Sequence, residues 1–371
     1  MLAVLALTFF CFLPVLRCGF TNWDDPKYLL ENNLVKYLSW ANIKEIFFDI
    51  DLKGRSYVPL SQVTFALEHH FFRLDPMVYH LDNLLLHLFN TALVFWLVWL
   101  LCRKTDVSII TSLLFGIHPM HVESVAWITE RKDVLYTFFY LLTTITYLLY
   151  ARPHRYKWVF YFLSAMFFAL SLLSKSMAVT LPVVLLLIDY LKRRKPNIPM
   201  FLDKIPFFAM AFAWGIVTII KAQATQSIAG GEAFSWIERA LFAFNGILFY
   251  FYKLFAPVHL SCFYPYPNLI DGHLPLIYYL APVLISLLGF LVYRSVAYTR
   301  SVVFGTLFFL VTVSIVLQFF PVGPNLVTDR YTYVSYIGWF FIIGKGYSYL
   351  QGKVGEKFKT LRFKPTFYIF K

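Results

Sequence analysis

The feature that most constrains this chain is a succession of apolar runs joined by short, charged connections. A bilayer crossing takes about 20 residues of helix. On that measure the sequence holds about eleven hydrophobic segments, near 1–20, 78–101, 108–128, 134–150, 158–173, 177–191, 205–221, 238–257, 276–293, 301–320 and 331–350. Only 14% of the residues are charged and 59% are hydrophobic, against roughly 25% charged in a soluble domain. The pattern predicts an all-α, polytopic transmembrane helical bundle. Aromatic residues at 20% suit a protein that meets lipid and two interfaces. The net charge of +13 comes from Lys and Arg in the short loops. It therefore reads as a topology signal and not as a nucleic-acid surface.

Residues 1–16 lack a basic leading region and an A-x-A site, so the first segment reads as an uncleaved membrane helix. The basic stretches 102–104, 151–157, 192–195, 294–300 and the tail from Lys353 belong on the cytoplasmic side. Counting from a cytoplasmic N-terminus then places Asp24 and Asp25 outside. Segment 238–257 breaks the count, because a full crossing would put 294–300 and the tail outside. With Glu238, Arg239, Asn245 and Lys253 in or beside it, a non-crossing segment is the expectation. The chain divides into a membrane domain, 1–350, whose first external loop spans about 20–77, and a basic cytoplasmic tail, 351–371. The four cysteines show no metal or CxxC spacing.

The first external loop is long enough to carry structure. Ser39 is placed to cap a helix through Ile50, with Trp40, Ile43, Phe47 and Ile50 at helical spacing. Such a helix would lie in the interface plane, and a second amphipathic stretch runs to Phe72. The loop opens with Cys18-Gly-Phe-Thr-Asn-Trp-Asp-Asp-Pro-Lys27, which sets two adjacent carboxylates at the membrane boundary. Asp25 before Pro26 has the grammar of an N-cap. Asp24 is left free, and a free carboxylate there is a candidate general base.

Further polar residues interrupt apolar surroundings. His80, Asn83, His87 and Asn90 share one face of the second segment. His87 and Asn90 read as packing contacts between helices, while His80 and Asp82, nearer the external end, read as site candidates. The run His118 to Asp133 is the densest polar patch, and His118, His121 and Glu123 are residue types that could bind a divalent cation. A solvated turn explains those three equally well. Arg131 and Lys132 are more informative, since they lie on the side that should be poor in basic residues. Lys175 and Arg330 share that position. Several cations at the external boundary, beside a carboxylate pair, suit the phosphate of an anionic lipid. Snorkelling would account for any one of them alone.

An ordered set of stretches also carries a family resemblance: Phe20-Thr-Asn-Trp-Asp-Asp25, Arg55 to Leu60, Tyr79 to Asn90, His118 to Asp133, Ser174 to Pro182, Phe263-Tyr-Pro-Tyr-Pro267 and Asp329-Arg-Tyr331. Together they resemble the TMTC-type O-mannosyltransferases and their prokaryotic relatives, within the glycosyltransferase C superfamily. The resemblance implies a membrane glycosyltransferase, inverting, that moves mannose or another hexose from a polyprenyl-phosphate donor to an acceptor hydroxyl on the non-cytoplasmic face. The acceptor would be a protein Ser or Thr, or a glycan, and no nucleic acid is involved. No cofactor is firmly implied beyond a possible divalent cation. Carried over, the resemblance puts Asp24 and Asp25 at the catalytic position and Arg131, Lys175 and Arg330 at the donor phosphate. Arg55, His80, Asp82, His118, His121, Glu123 and Asp329 would support substrate or structure. Many relatives continue into tetratricopeptide repeats, which this sequence lacks. The rival classes are a transporter or flippase of lipid-linked sugars and a non-catalytic scaffold. A transporter should show internal repeats, and none is visible.

Overall fold

The computed structural model describes residues 1–48, 56–153, 155–224, 234–269, 273–319 and 325–362. Arg55 and Ile50 lie outside the described residues. The main helices are α1 (Leu2–Phe12), α2 (Trp40–Phe48), α3 (Pro59–Phe72), α4 (Pro76–Cys102), α5 (Thr105–Ile117), α6 (Arg131–Tyr150) and α7 (Lys157–Ser174). They continue as α8 (Leu181–Leu191), α9 (Ile205–Ala224), α10 (Trp236–Phe255), α11 (Leu276–Ser295), α12 (Arg300–Val313) and α13 (Thr332–Arg362).

Each apolar segment read from the sequence is helical over most of its length, but fewer helices can cross a membrane than segments were counted. Five are long and apolar enough: Pro76–Cys102, Ile128–Tyr150, Lys157–Ser174, Ile198–Lys221 and Leu276–Ser295. The pair Thr105–Ile117 and Pro119–Ala126, bent by 55°, raises the number among the described residues to six if it is one span. The expectation of about eleven crossings is not supported. Leu2–Arg17, Ser176–Leu191 and Arg300–Val316 belong to the 10–17-residue class. Helix α10 has the length, but Glu238, Arg239, Asn245 and Lys253 dilute its apolar character.

The bundle is built around α4, α5, α6 and α13, with α7 along α6 and α12 along α13. The α12–α13 contact depends on Gly305 and Gly338, where a Cβ on either would run into the other's carbonyl oxygen. Small residues of this kind let two helix backbones meet in lipid. The polar face of α4 does equivalent work. His87 Nε2 lies 3.0 Å from the Gly116 carbonyl and must donate to it, so Nδ1 accepts from the Tyr333 hydroxyl at 2.7 Å. Asn90 in turn donates to that hydroxyl at 3.2 Å and to the Val134 carbonyl at 2.8 Å. One chain of hydrogen bonds therefore joins α4, α5, α6 and α13. Polar groups that would be costly in lipid are spent on fixing helix positions.

The loop after α1 carries the expected helices. The Ser39 hydroxyl accepts from the Asn42 backbone at 3.1 Å at the start of α2, and the second amphipathic stretch forms α3. Much later in the chain, β1 (Tyr264–Pro265) pairs antiparallel with β2 (Asn325–Val327), Tyr264 opposite Val327. That pairing brings the aromatic–proline stretch to the turn that holds Asp329 and Arg330.

Candidate active site

The two acids of the first loop have different surroundings. The Asp25 side chain is fully buried at 0% exposure. It accepts from the Thr21 backbone at 2.7 Å and the Thr21 hydroxyl at 3.1 Å. It also accepts from the Trp127 indole at 3.1 Å and the Thr129 backbone at 3.3 Å. The expected N-cap does not form: Asp25 has helical backbone angles, φ −60° and ψ −40°, and makes no capping bond to the turn after Pro26. Its lone pairs are occupied, as the cap reading required, but by partners upstream and across the fold. Asp24 keeps 38% of its side chain exposed and has one ion-pair contact, Lys132 Nζ at 3.6 Å. It is the open acid of the pair.

Lys132 leads from Asp24 to a buried ionic network centred on Glu130, whose side chain is 1% exposed. Lys132 approaches Glu130 at 3.0 Å, Lys175 at 3.5 Å, and the Arg330 guanidinium at 3.3 Å. These cations arrive from three segments: the start of α6, the turn between α7 and α8, and the turn before α13. Lys175 also bonds tightly to Asp133, which accepts from the Ser124 hydroxyl at 3.1 Å. Arg330 bonds tightly to Glu123, which also accepts from the Arg330 backbone at 3.0 Å. Four carboxylates (Asp24, Glu123, Glu130 and Asp133) thus surround three cations. The network opens towards solvent at Asp24.

Lys175 and Arg330 therefore meet as the sequence led us to expect, and Glu123 joins them. Arg131 does not. Its guanidinium is buried and bonds to Glu68 at 2.7 Å, to the Tyr79 carbonyl at 2.9 Å and tightly to Asn83, fastening α3 to α4. Asp82 lies beside Glu68 in this separate cluster. His80 is buried beneath the first loop, near Asp25 and the backbone of Cys18 and Gly19.

The possible divalent-cation ligands do not converge. His118 Nε2 donates to the Leu254 carbonyl at 3.2 Å and His121 Nδ1 to the Phe115 carbonyl at 2.8 Å. Both rings pack among Tyr333, Tyr336 and Phe340, while Glu123 is taken by Arg330. Among the described residues, no group of three His, Cys, Asp or Glu could hold a metal ion. Asp329 lies at the edge of the network and accepts from the Tyr264 hydroxyl at 3.1 Å. Burial pushes its carboxyl up to about 6, with the nearby Glu123 charge adding to the rise.

Sequence reasoning missed Glu130 and Asp133. The available signal was their separation of three residues at a helix start, which puts both on one face. Successive helical residues rotate by about 100°. That rotation carries Arg131 away from the face its neighbours share.

Comparisons with known proteins agree with the family resemblance. The chain is 31% identical over 236 residues to protein O-mannosyl-transferase tmtc2 of Xenopus laevis, covering 58% of this chain and 28% of that protein. It is 26% identical over 246 residues to human protein O-mannosyl-transferase TMTC3, covering 58% of this chain and 26% of that protein. Human protein O-mannosyl-transferase TMTC2 is 31% identical over 192 residues, covering 48% of this chain and 22% of that protein. No family model matches the chain, and no solved structure does. The chain spans about a quarter of the length of these relatives. Over the matched region it is TMTC-like, its similarity running to proteins named as protein O-mannosyl-transferases.

Proposed function

We propose that this chain is a membrane glycosyltransferase that moves a hexose, mannose first among the candidates, from a polyprenyl-phosphate donor to a protein Ser or Thr hydroxyl on the non-cytoplasmic face. The observation that carries the reading is the convergence of Lys132, Lys175 and Arg330 on one buried carboxylate, beside an acid that stays open. Cations from three segments at one point are the equipment for a developing phosphate charge. The relatives' names add the acceptor class and the sugar.

In this mechanism the acceptor oxygen loses its proton to Asp24 as it attacks the anomeric carbon. The bond from that carbon to the phosphate oxygen breaks with its electron pair leaving on oxygen. The departing polyprenyl phosphate is stabilised by Lys175 and Arg330. Attack opposite the leaving group inverts the anomeric centre, through a transition state of oxocarbenium character. Donor phosphate must compete with Glu123, Glu130 and Asp133 for the same cations, so binding is an exchange of partners within the network. Asp25 supports the loop through its four hydrogen bonds and is not the base. No metal is used in this scheme.

The test is incubation of purified protein and a Ser/Thr-containing peptide with a panel of polyprenyl-phosphate sugars, read by mass spectrometry. Hexose addition to the peptide with release of polyprenyl phosphate is the expected result. Transfer from none of the panel, by protein shown to be folded, would reject the reading.

A further inference from the structure

At the end of α4 opposite Asn83, three cations meet with no acid to balance them. Lys192 Nζ lies 3.5 Å from the Leu100 carbonyl and 3.3 Å from the Leu101 carbonyl. Arg152 Nη2 lies 3.5 Å from the same Leu100 carbonyl. Arg103 follows directly, with left-handed backbone at φ 54° and its guanidinium 3.9 Å above the Trp99 ring. Burial lowers the Lys192 ammonium below its ordinary value, and Arg152 and Arg103 push it further. Arg152 is lowered in the same way, by burial and then by Arg103.

The charge count decides what this means. A helix C-terminus supplies about half a negative charge, so the last carbonyls of α4 offset a small part of three positive ones. Among the described residues, none of the three cations forms an ion pair with a carboxylate. The acids at this end are engaged elsewhere. Asp106 lies beside Ser348, whose hydroxyl accepts from Lys104 at 3.0 Å. Asp189 and Asp203 pair with Arg194 and Lys204. Trp99, under the Arg103 guanidinium, and exposed Trp158, six residues after Arg152, are residues of the type enriched at a headgroup layer.

We propose that Arg103, Arg152 and Lys192 form a binding site for the phosphate of an anionic phospholipid headgroup. The lipid would complete the charge balance at the C-terminal end of α4 and tie together the loops after α4, α6 and α8. This site is separate from the Glu130 network and does not depend on the proposed transferase activity.

The test is native mass spectrometry of the purified chain, titrated with phosphatidylglycerol or phosphatidylcholine, with inorganic phosphate as a separate arm. Wild type should retain one phosphatidylglycerol under conditions that remove phosphatidylcholine, and millimolar phosphate should not displace it. Each cation removed should weaken retention about fivefold, so Arg152→Gln/Lys192→Gln should lose roughly 25-fold. If that variant does not fold, Lys192→Gln alone should show the fivefold loss. Equal retention of the two lipids, or unchanged retention in the substituted protein, would overturn the proposal. Displacement of the lipid by millimolar phosphate would overturn the lipid as occupant.

Discussion

Helix α6 has an ionic network at each end, and the two are built differently. Near its C-terminal end, Lys204 is 1% exposed and fully partnered, by Asp189 at 2.6 Å, Asp203 at 2.8 Å, the Tyr147 hydroxyl at 2.7 Å and the Met200 carbonyl at 2.7 Å. Arg194 closes it, reaching Asp203 at 2.8 Å and Tyr147 at 2.8 Å. Two cations face two carboxylates, and the charge balances. The network at the N-terminal end sets three cations against four carboxylates and leaves Asp24 partly in solvent. From Asp133 to Tyr147 the helix rises about 21 Å, so the two do not share residues. A balanced, closed network holds loops to helices. The other keeps an acid, Asp24, open to a group from outside, and an incoming anion has to displace a carboxylate from the cations. Buried charge alone would not distinguish them.

The largest expected effect comes from breaking the closed end. Lys204→Met leaves Asp189 and Asp203 buried with one cation between them, and breaking a buried pair costs about 3–5 kcal/mol. Thermal unfolding in detergent should show a drop large enough to prevent purification of folded protein. A variant as stable as wild type would mean that this network is not a clamp.

The open end should show its effect in donor use as well as in stability. Lys175→Ala leaves Glu130 with Lys132 and Arg330 but leaves buried Asp133 with the Ser124 hydroxyl and without that ammonium, so stability falls too and donor use is compared at matched folded concentration. Losing a charge-assisted contact costs roughly 1.5–3 kcal/mol, or about tenfold or more in kcat/KM for the donor. Arg330→Ala should act similarly. Donor kinetics unchanged in both variants would remove these residues from the site.

The smallest effect concerns Asp329 at the edge of the open network. Its folded-state value is raised from 3.8 to about 6, so between those values the folded protein holds a proton that the unfolded chain has released. Stability from this residue is therefore full below about pH 4 and declines as pH rises to about 6. Asp329→Asn should flatten that part of the stability–pH curve. A curve of unchanged slope would mean that Asp329 is not the group responsible.

The two ends were unequally legible in the sequence. Apolar runs located the helices, because burial in lipid imposes a long and simple pattern. They did not settle the number of crossings, since a run of 16 or 17 apolar residues reads much like one of 20. Lys175 and Arg330 stood out as cations on the side that should be poor in basic residues, and Asp24 as the acid that a cap at Asp25 would leave free. Glu130 did not, because in Glu130-Arg-Lys-Asp133 every residue is charged and only rotation about the helix separates their destinations. Arg131 was misassigned for the same reason. The closed network drew no notice, since Asp189, Arg194, Asp203 and Lys204 lie in a stretch that reads as an ordinary basic loop. Asp25 was read as occupied, and it is, but the partners Trp127 and Thr129 lie about a hundred residues away.

The central claim is that the open acid does the chemistry and the buried one holds the loop. Single-turnover sugar transfer by Asp24→Asn, at a folded concentration matched to wild type by thermal shift, tests it most directly. The account predicts an unchanged unfolding temperature and transfer slowed by roughly 10²–10⁴-fold. Asp25→Asn, which puts an amide where four donors converge, should lower the unfolding temperature instead. Near-normal transfer by Asp24→Asn would contradict the account.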